Sequence, residues 1–537
     1  MHLITLVAFL FRIASLAKQS LWRDEVDVIR FSSSPLAQLL AELFVPEHNG
    51  PLYYLLIRPW RFFVGNSEFA LRFPSAAFGT LTVALGVYLS RRLGYSPRVS
   101  ALIAMLLASS PYLVWYSQEV KMYSLLTALI LVAFVAYYQA LNRLPQPTLK
   151  QRTVLGVTSW ERFLVSLRAT QNDMTTALHA PSRVFRRYKY WIIFVLFTSL
   201  SFYLHILSPL MLPVYVVIAV IHHNQLRKCW RVWLISMAFL ILPYLPLLLW
   251  QFAVVYQAQD TGHSFYPLSA QTILLVQIYS TGLLKPIVPL PIVLFCFLFL
   301  VSLFLSDDGS GWKRRLTLLC WFVGPILGIY LVSLRTPIFE PRYVIYTVLP
   351  FYILVARGAE QVRNHSKPIA ALCVGLILLF NLISIQQQQH HILKTDFRRA
   401  AIHIKQKNNE LAIPETIIMM QMPYLTRTLE YYYQPEPVTW LEGVWTNDGK
   451  PETAVAAELA NTTARINGVW LVVSEEELWD NRGLTRAWFN QHAVLLDEAE
   501  YSGVRVYYYR LGDTAQSKPT TSQKPHKSYL PLVISQR

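Results

Sequence analysis

The sequence predicts a polytopic α-helical membrane protein, with about eleven transmembrane helices followed by a C-terminal extracytoplasmic α/β domain. Three observations lead there. Apolar runs long enough to cross a bilayer recur through residues 1–386. Charged residues make up only 15% of the 537 positions, against about 25% in an ordinary soluble domain, and mean hydropathy is +0.34. Basic residues fall in alternate loops between the apolar runs.

The apolar segments lie at 1–17, 73–90, 99–116, 122–141, 190–204, 206–222, 232–250, 288–306, 316–334, 343–356 and 368–386. With the N-terminus cytoplasmic, Arg91 and Arg92, the stretch from Arg143 to Lys189, then Arg227, Lys228 and Arg231, then Lys313, Arg314 and Arg315, and finally Arg357, Arg363 and Lys367 all fall inside. That is the positive-inside pattern, and it puts the C-terminal region outside a plasma (inner) membrane. Residues 271–287 would invert every later loop if they spanned, so they read as interfacial or re-entrant. Met1 to Ala17 carries Arg12 and lacks both a basic n-region and a small-residue cleavage site, so it reads as an uncleaved first helix rather than a signal peptide. The net charge of +17 is dispersed through these loops. Membrane lipids are therefore expected partners and nucleic acid is not. Cys229, Cys296, Cys320 and Cys373 lie in or beside apolar segments, with no disulfide framework or thiolate metal spacing.

After Ile385 the composition becomes that of a soluble domain, expected over 387–511. Residues 396–407 read as an amphipathic helix, 415–421 as a strand, 424–433 as a helix, 469–474 as a strand, 484–491 as a helix, and 493–497 and 504–510 as strands. Alternation of this kind argues an α/β layer structure. The tail, 512–537, is rich in Ser, Thr, Lys and Pro and reads as disordered.

Four polar clusters fall on the external side of this topology. In the first external loop, about 18–66, Trp22-Arg23-Asp24-Glu25 places two carboxylates directly after the first helix. Either a solvated, arginine-neutralised acid pair or a general base fits that pattern. A base that removes the proton of an attacking hydroxyl typically contributes about 10²–10⁴ in rate, and nothing in the sequence separates Asp24 from Glu25. Further on, Glu47-His48-Asn49-Gly50-Pro51-Leu52-Tyr53-Tyr54 carries a turn signal at Gly-Pro. The polar residues ahead of that turn could line a pocket, with His48 and Tyr53 as substrate-binding candidates, although His48 alone reads as an ordinary loop histidine. The third cluster, Trp115 to Tyr123, includes Glu119 and Lys121 at the end of a span, where charges either mark a site or form a polar turn with a snorkelling lysine. The fourth is Pro337 to Tyr343, whose Arg342 suits a phosphate through paired hydrogen bonds. His205, between two spans, joins the same side.

These residues resemble the dolichyl-phosphate-mannose protein mannosyltransferase superfamily of membrane glycosyltransferases, which includes the bacterial aminoarabinose transferases. The resemblance rests on Trp22-Arg23-Asp24-Glu25, Gly50-Pro51-Leu52-Tyr53-Tyr54, the stretch from Ser67 to Ser75, Ser117-Gln118-Glu119 with Tyr123, and Pro341-Arg342-Tyr343. It implies the GT-C fold, a polyprenyl-phosphate-linked sugar as donor, inversion at the anomeric carbon, and Asp24 as the acid most like the family base, with Glu25 beside it. Arg72, Lys121 and Arg342 would be candidates for the donor phosphate, with Tyr123 and Tyr343 nearby. The chain departs from many relatives at Asn49-Gly50-Pro51, where they have His-Pro-Pro, and at Lys121, where they have arginine. Lysine keeps the charge and loses the bidentate fork. The acceptor, whether protein, lipid or glycan, is unspecified. No cofactor is expected and no metal-ligand spacing is visible. The competing reading is a transporter or lipid flippase, which would show internal hydropathy repeats and broken mid-membrane helices.

Overall fold

A computed structural model describes residues 1–41, 50–142, 180–245, 264–284, 288–305, 311–434 and 436–512. His48, most of the basic stretch after Arg143, part of the 232–250 segment and nearly all of the tail lie outside the described residues. Among the described residues, four helices are long and apolar enough to cross a membrane: α5 (Glu68–Arg92), α8 (Tyr123–Asn142), α14 (Gly311–Ser333) and α16 (Lys367–His390). The most enclosed is α8, with 89% of its apolar window buried, and α16 is the most peripheral at 28%. The chain is thus a multi-pass membrane protein with α8 at the centre of the bundle.

Further helices accompany these four. They are α1 (His2–Ile13), α2 (Arg23–Ser33), α3 (Leu36–Ala41), α4 (Leu52–Val64), α6 (Pro97–Ala108), α7 (Pro111–Tyr116), α9 (Ala180–Phe202), α10 (Met211–Ile221), α11 (His223–Ile241), α12 (Leu268–Thr281), α13 (Leu290–Phe304) and α15 (Val348–His365). The run read as one span at 99–116 is two helices. Ser110 accepts from the Leu113 N–H as an N-cap and Pro111 restarts the chain at the first helical position. The span expected to open at Tyr343 instead starts with a 3₁₀ turn, Pro341–Thr347, that kinks at Val344. The ambiguous segment around 271–287 holds the 14-residue α12, shorter than the roughly 20 residues a crossing needs.

Arg12 is fully buried inside α1. Its guanidinium donates to the carbonyls of Leu107 and Ala108 at 3.0 and 3.3 Å. Those carbonyls belong to the last turn of α6, where a helix has no partners of its own for them.

Beyond α16 the chain forms α17 (Phe397–Glu410), β1 (Ile417–Met420), α18 (Thr426–Tyr433), β2 (Thr439–Glu442), α19 (Glu452–Thr463), β3 (Gly468–Val473), α20 (Glu476–Trp479), α21 (Leu484–His492), β4 (Val494–Tyr501) and β5 (Val504–Arg510). The sheet order is β2-β1-β3-β5-β4, with β1 parallel to β2 and β3, and β5 antiparallel to β3 and β4. Side chains alternate across a strand. Ile418, Met420, Trp470 and Val472 therefore pack under α17 and α18, while Ile417, Met419, Leu471 and Val473 pack under α19 and α21. Burial on both faces explains why β1 and β3 read as unbroken apolar runs. The β2 strand and α19 were not expected. β2 is a half-exposed edge strand and its Thr-Trp-Leu-Glu carries little alternation.

This domain sits on the loop that leads into α2. Tyr432 Oη accepts from the Leu21 N–H at 2.6 Å and also bonds Glu68. Arg398 donates to the Ala17 carbonyl at 2.9 Å and pairs with Glu68, and Tyr431 donates to the Asn66 carbonyl at 2.6 Å. Residues 17–22 are thereby fixed from above, and α2 starts in a defined place.

Candidate functional site

Trp22 is extended, and α2 begins at Arg23 with both acids in its first turn, where the helix dipole favours negative charge. Neighbours on a helix point in different directions. Asp24 and Glu25, inseparable in the sequence, therefore enter two different environments.

Glu25 turns inward and is fully buried. Its oxygens accept from Arg72 Nε at 2.8 Å, Arg72 Nη2 at 2.7 Å, Lys394 Nζ at 2.9 Å and the Val120 N–H at 2.8 Å. Arg72 spends its remaining donors on the carbonyls of Leu16, Gln19 and Ser20 at 2.9, 2.8 and 3.1 Å. Burial pushes the Glu25 carboxyl up, but Arg72 and Lys394 outweigh it and bring it down to about 2. Lys394 also lies 3.3 Å from Glu119, which accepts from the Trp115 indole at 3.1 Å. Burial holds the Glu119 carboxyl above its ordinary value, with Lys394 opposing. These four charged groups form one sealed lattice joining α2, α5, the α7–α8 turn and the entrance to the C-terminal domain.

Asp24 turns the other way and keeps 22% of its side chain exposed. Lys121 Nζ stands 3.6 Å and Arg342 Nη1 3.8 Å from its Oδ2. Both are longer than a formed hydrogen bond, so the cations face the acid without being consumed by it. Burial pushes Asp24 up, while Lys121, Arg342 and Arg23 together hold it below the ordinary carboxylate value. It is ionised at neutral pH. Asp27, one turn further on α2, shares this face, and burial raises its carboxyl.

The two cations come from motifs far apart in the chain. Lys121 lies in the turn before α8, and its carbonyl accepts from Ser75, whose hydroxyl also meets Tyr53 Oη at 3.3 Å. Arg342 follows Pro341, which holds Glu340 extended. Its guanidinium lies 5.6 Å from the ring centres of both Trp22 and Tyr343, within cation–π range. Its Nε has no hydrogen-bond partner among the described residues. His205 packs 5.1 Å from Tyr343 and 6.2 Å from Tyr123, ring centre to ring centre. His205 Nδ1 accepts from the Leu207 N–H at 3.1 Å, which leaves Nε2 to carry the proton of the neutral ring, buried and without a partner among the described residues. Burial, then Arg342 and Lys121, push this imidazole down to about 3. Gly50 brings the start of α4 against this group: a Cβ there would stand 1.9 Å from the Tyr203 carbonyl oxygen.

Among the expected residues, the structure brings together Asp24, Lys121, Tyr123, His205, Arg342 and Tyr343, with Tyr53 braced behind Lys121. It places Glu25, Arg72 and Glu119 in the sealed lattice. Sequence reading missed Asp27, Lys394 and Glu475. Helical spacing from Asp24 would have shown the first. No local signal points to the other two, which arrive from more than 360 residues away.

Residues 3–159 match the family model described as dolichyl-phosphate-mannose-protein mannosyltransferase. Among solved structures, ArnT from Cupriavidus metallidurans bound to undecaprenyl phosphate aligns at TM-score 0.57 and 11% identity, covering 94% of this chain and 97% of that one. Its apo form aligns at 0.56. This chain has the GT-C fold. An oligosaccharyltransferase from Archaeoglobus fulgidus, in complex with Zn and sulfate, aligns at 0.51 with 12% identity over 94% of this chain and 72% of that one. Among curated proteins, none matches the chain. The family model agrees with the resemblance to the mannosyltransferase superfamily over residues 3–159, and the solved structures show the fold. The matched residues 3–159 contain Asp24, Arg72 and Lys121, whereas His205 and Arg342 lie beyond them.

Proposed function

We propose that the chain moves a sugar, with inversion, from a polyprenyl-phosphate carrier to an acceptor hydroxyl on the extracytoplasmic face. The observation that carries this reading is the partly exposed Asp24 carboxylate between Lys121 at 3.6 Å and Arg342 at 3.8 Å. An ionised acid suits a hydroxyl proton, and two cations beside it suit a departing phosphate. The undecaprenyl phosphate held by the Cupriavidus metallidurans ArnT supports a carrier of that class.

Asp24 accepts the acceptor's proton as its oxygen bonds to the anomeric carbon. The bond from that carbon to the phosphate oxygen breaks, and the electron pair leaves with the polyprenyl phosphate. Arg342 and Lys121 stabilise that developing charge, and preorganised stabilisation of this kind usually lowers the barrier more than any other single effect. The His205 Nε2–H and the rings of Tyr123 and Tyr343 line the sugar and phosphate region. Glu25, Arg72 and Glu119 hold the loop bearing Asp24 and touch no substrate. The phosphate is already a good leaving group, so the reading includes transfer without a metal.

The test is transfer of label, in membranes carrying the full chain, from a radiolabelled polyprenyl-phosphate-linked sugar pool to a new acceptor, with and without chelator. Label that changes carrier supports the reading. Label that crosses the membrane still attached to its lipid would favour a flippase.

A further inference from the structure

Asp24 has a fourth neighbour that the reaction above does not use. Arg23, the residue before it, is turned away onto Glu475 of the C-terminal domain, Nη1 to Oε2 3.0 Å, with 30% and 15% of the two side chains exposed. Glu475 follows the carboxyl end of β3, the central strand of its sheet. Its backbone lies in the left-handed region, φ 52° and ψ 38°, although it is not glycine. Such a conformation persists only where the surroundings impose it.

The surroundings do so on every side. Ser474 Oγ donates to the Gly503 carbonyl at 2.7 Å. Glu476 pairs with Arg505 and, at 3.8 Å, with Arg486. Asp480, fully buried, accepts from Thr446 Oγ1, Gln421 Nε2 and the N–H groups of Leu484 and Thr485 between 2.7 and 3.1 Å. These bonds tie the β3–α21 loop to the carboxyl ends of β1 and β2. Glu475 is therefore presented on a rigid mount, and the mount faces Arg23.

We propose that Glu475 is a positioning residue for the reaction: by holding Arg23, the C-terminal domain keeps that guanidinium from neutralising Asp24, and the strength of the base depends on the docked domain. This rests on the assignment of Asp24 as base. Among the described residues, the charged and titratable groups around Asp24 are Arg23 and Asp27 on α2, Lys121 before α8, Tyr123 at the start of α8, Glu340, Arg342 and Tyr343 at the 3₁₀ turn, and Glu475. Among these, Glu475 alone comes from the C-terminal domain. Removing its negative charge frees Arg23 and makes Asp24 a weaker base.

The test uses the full chain in detergent and a readout that does not need turnover. Carbodiimide labelling of Asp24, followed by mass spectrometry across the acid range, gives the pH at which the carboxyl takes up its proton. Glu475→Gln should move that midpoint down, Arg23→Gln should move it up, and the double variant should return it near the native value. In membranes, Glu475→Gln should slow transfer about tenfold, with the double variant and Glu475→Asp recovering most of the rate. A purely structural role would weaken both variants that lack the ion pair alike, so recovery in the double variant separates the two. An unchanged midpoint in Glu475→Gln, or a double variant no better than the single, overturns the proposal. A midpoint shifted in Glu475→Gln, with a native chain that transfers no sugar, would leave Glu475's action on Asp24 standing and remove the glycosyltransferase reading instead.

Discussion

Replacing Arg72 with glutamine tests whether the inner lattice is scaffold or substrate site. Arg72 makes five hydrogen bonds, two to Glu25 and three to the carbonyls of Leu16, Gln19 and Ser20. Both partners of the ion pair are fully buried. Removing one member leaves an uncompensated charge out of water, which costs about 3–5 kcal/mol, a large part of the roughly 5–15 kcal/mol typical of a folded domain. Lys394 and the Val120 N–H still face Glu25, which places the expected loss at the lower end of that range. Unfolding of the purified full chain in detergent, followed by denaturant titration, reads this directly. The Glu25→Gln/Arg72→Gln double variant should cost less than the two single changes added together, because the ion pair they share is lost only once, while Lys394 keeps Glu119 at 3.3 Å. Arg72→Gln unfolding within about 1 kcal/mol of the native chain would refute the scaffold role. If that stable variant also lost transfer, Arg72 would take the phosphate role that the family resemblance implies.

Other consequences follow from the same contacts. Arg342→Gln should keep its fold, since its carboxylate neighbours stand no closer than 3.8 Å, yet lower transfer by about 10²–10³, as loss of one charge-stabilising donor does. Glu25 is depressed to about 2 in the folded chain against 4.5 ordinarily. Its stabilising effect is complete above about pH 4.5 and is lost as pH falls toward 2, and Glu25→Gln should flatten that part of a stability–pH curve. His205 is likewise depressed, from 6.5 to about 3. The unfolded chain takes up a proton there that the folded chain does not, so stability falls with pH below about 6.5. His205→Gln should remove that slope, measured as thermal midpoint against pH.

The membrane class was legible because lipid solvent imposes a composition and a run length that a single sequence displays openly. Helix breaks were less so. At Ser109-Ser110-Pro111 the hydropathy continues while the backbone stops, because a cap and a proline decide helicity independently of apolarity. In the C-terminal domain, strands buried on both faces announced themselves as apolar runs, whereas β2 at the edge did not. The site was legible as a set of polar clusters on one side, and Asp24, Lys121, His205 and Arg342 do converge. Its internal division was hidden. Asp24 and Glu25 are adjacent in sequence, and only the helical rotation between them separates an open carboxylate from a sealed one. Lys394 and Glu475 carry no motif, since their roles are set by tertiary docking rather than by spacing.

The assignment of Asp24 as base stands or falls on a comparison of native chain, Asp24→Asn and Glu25→Gln at equal folded amounts in membranes, following transfer from a radiolabelled polyprenyl-phosphate-linked sugar. Asp24→Asn should lose about 10²–10⁴ in rate, the usual weight of a general base, while keeping native stability. Glu25→Gln should lose stability, and whatever remains folded should still transfer. Native transfer by Asp24→Asn, with loss confined to folded Glu25→Gln, would overturn that assignment and move the base to the buried acid.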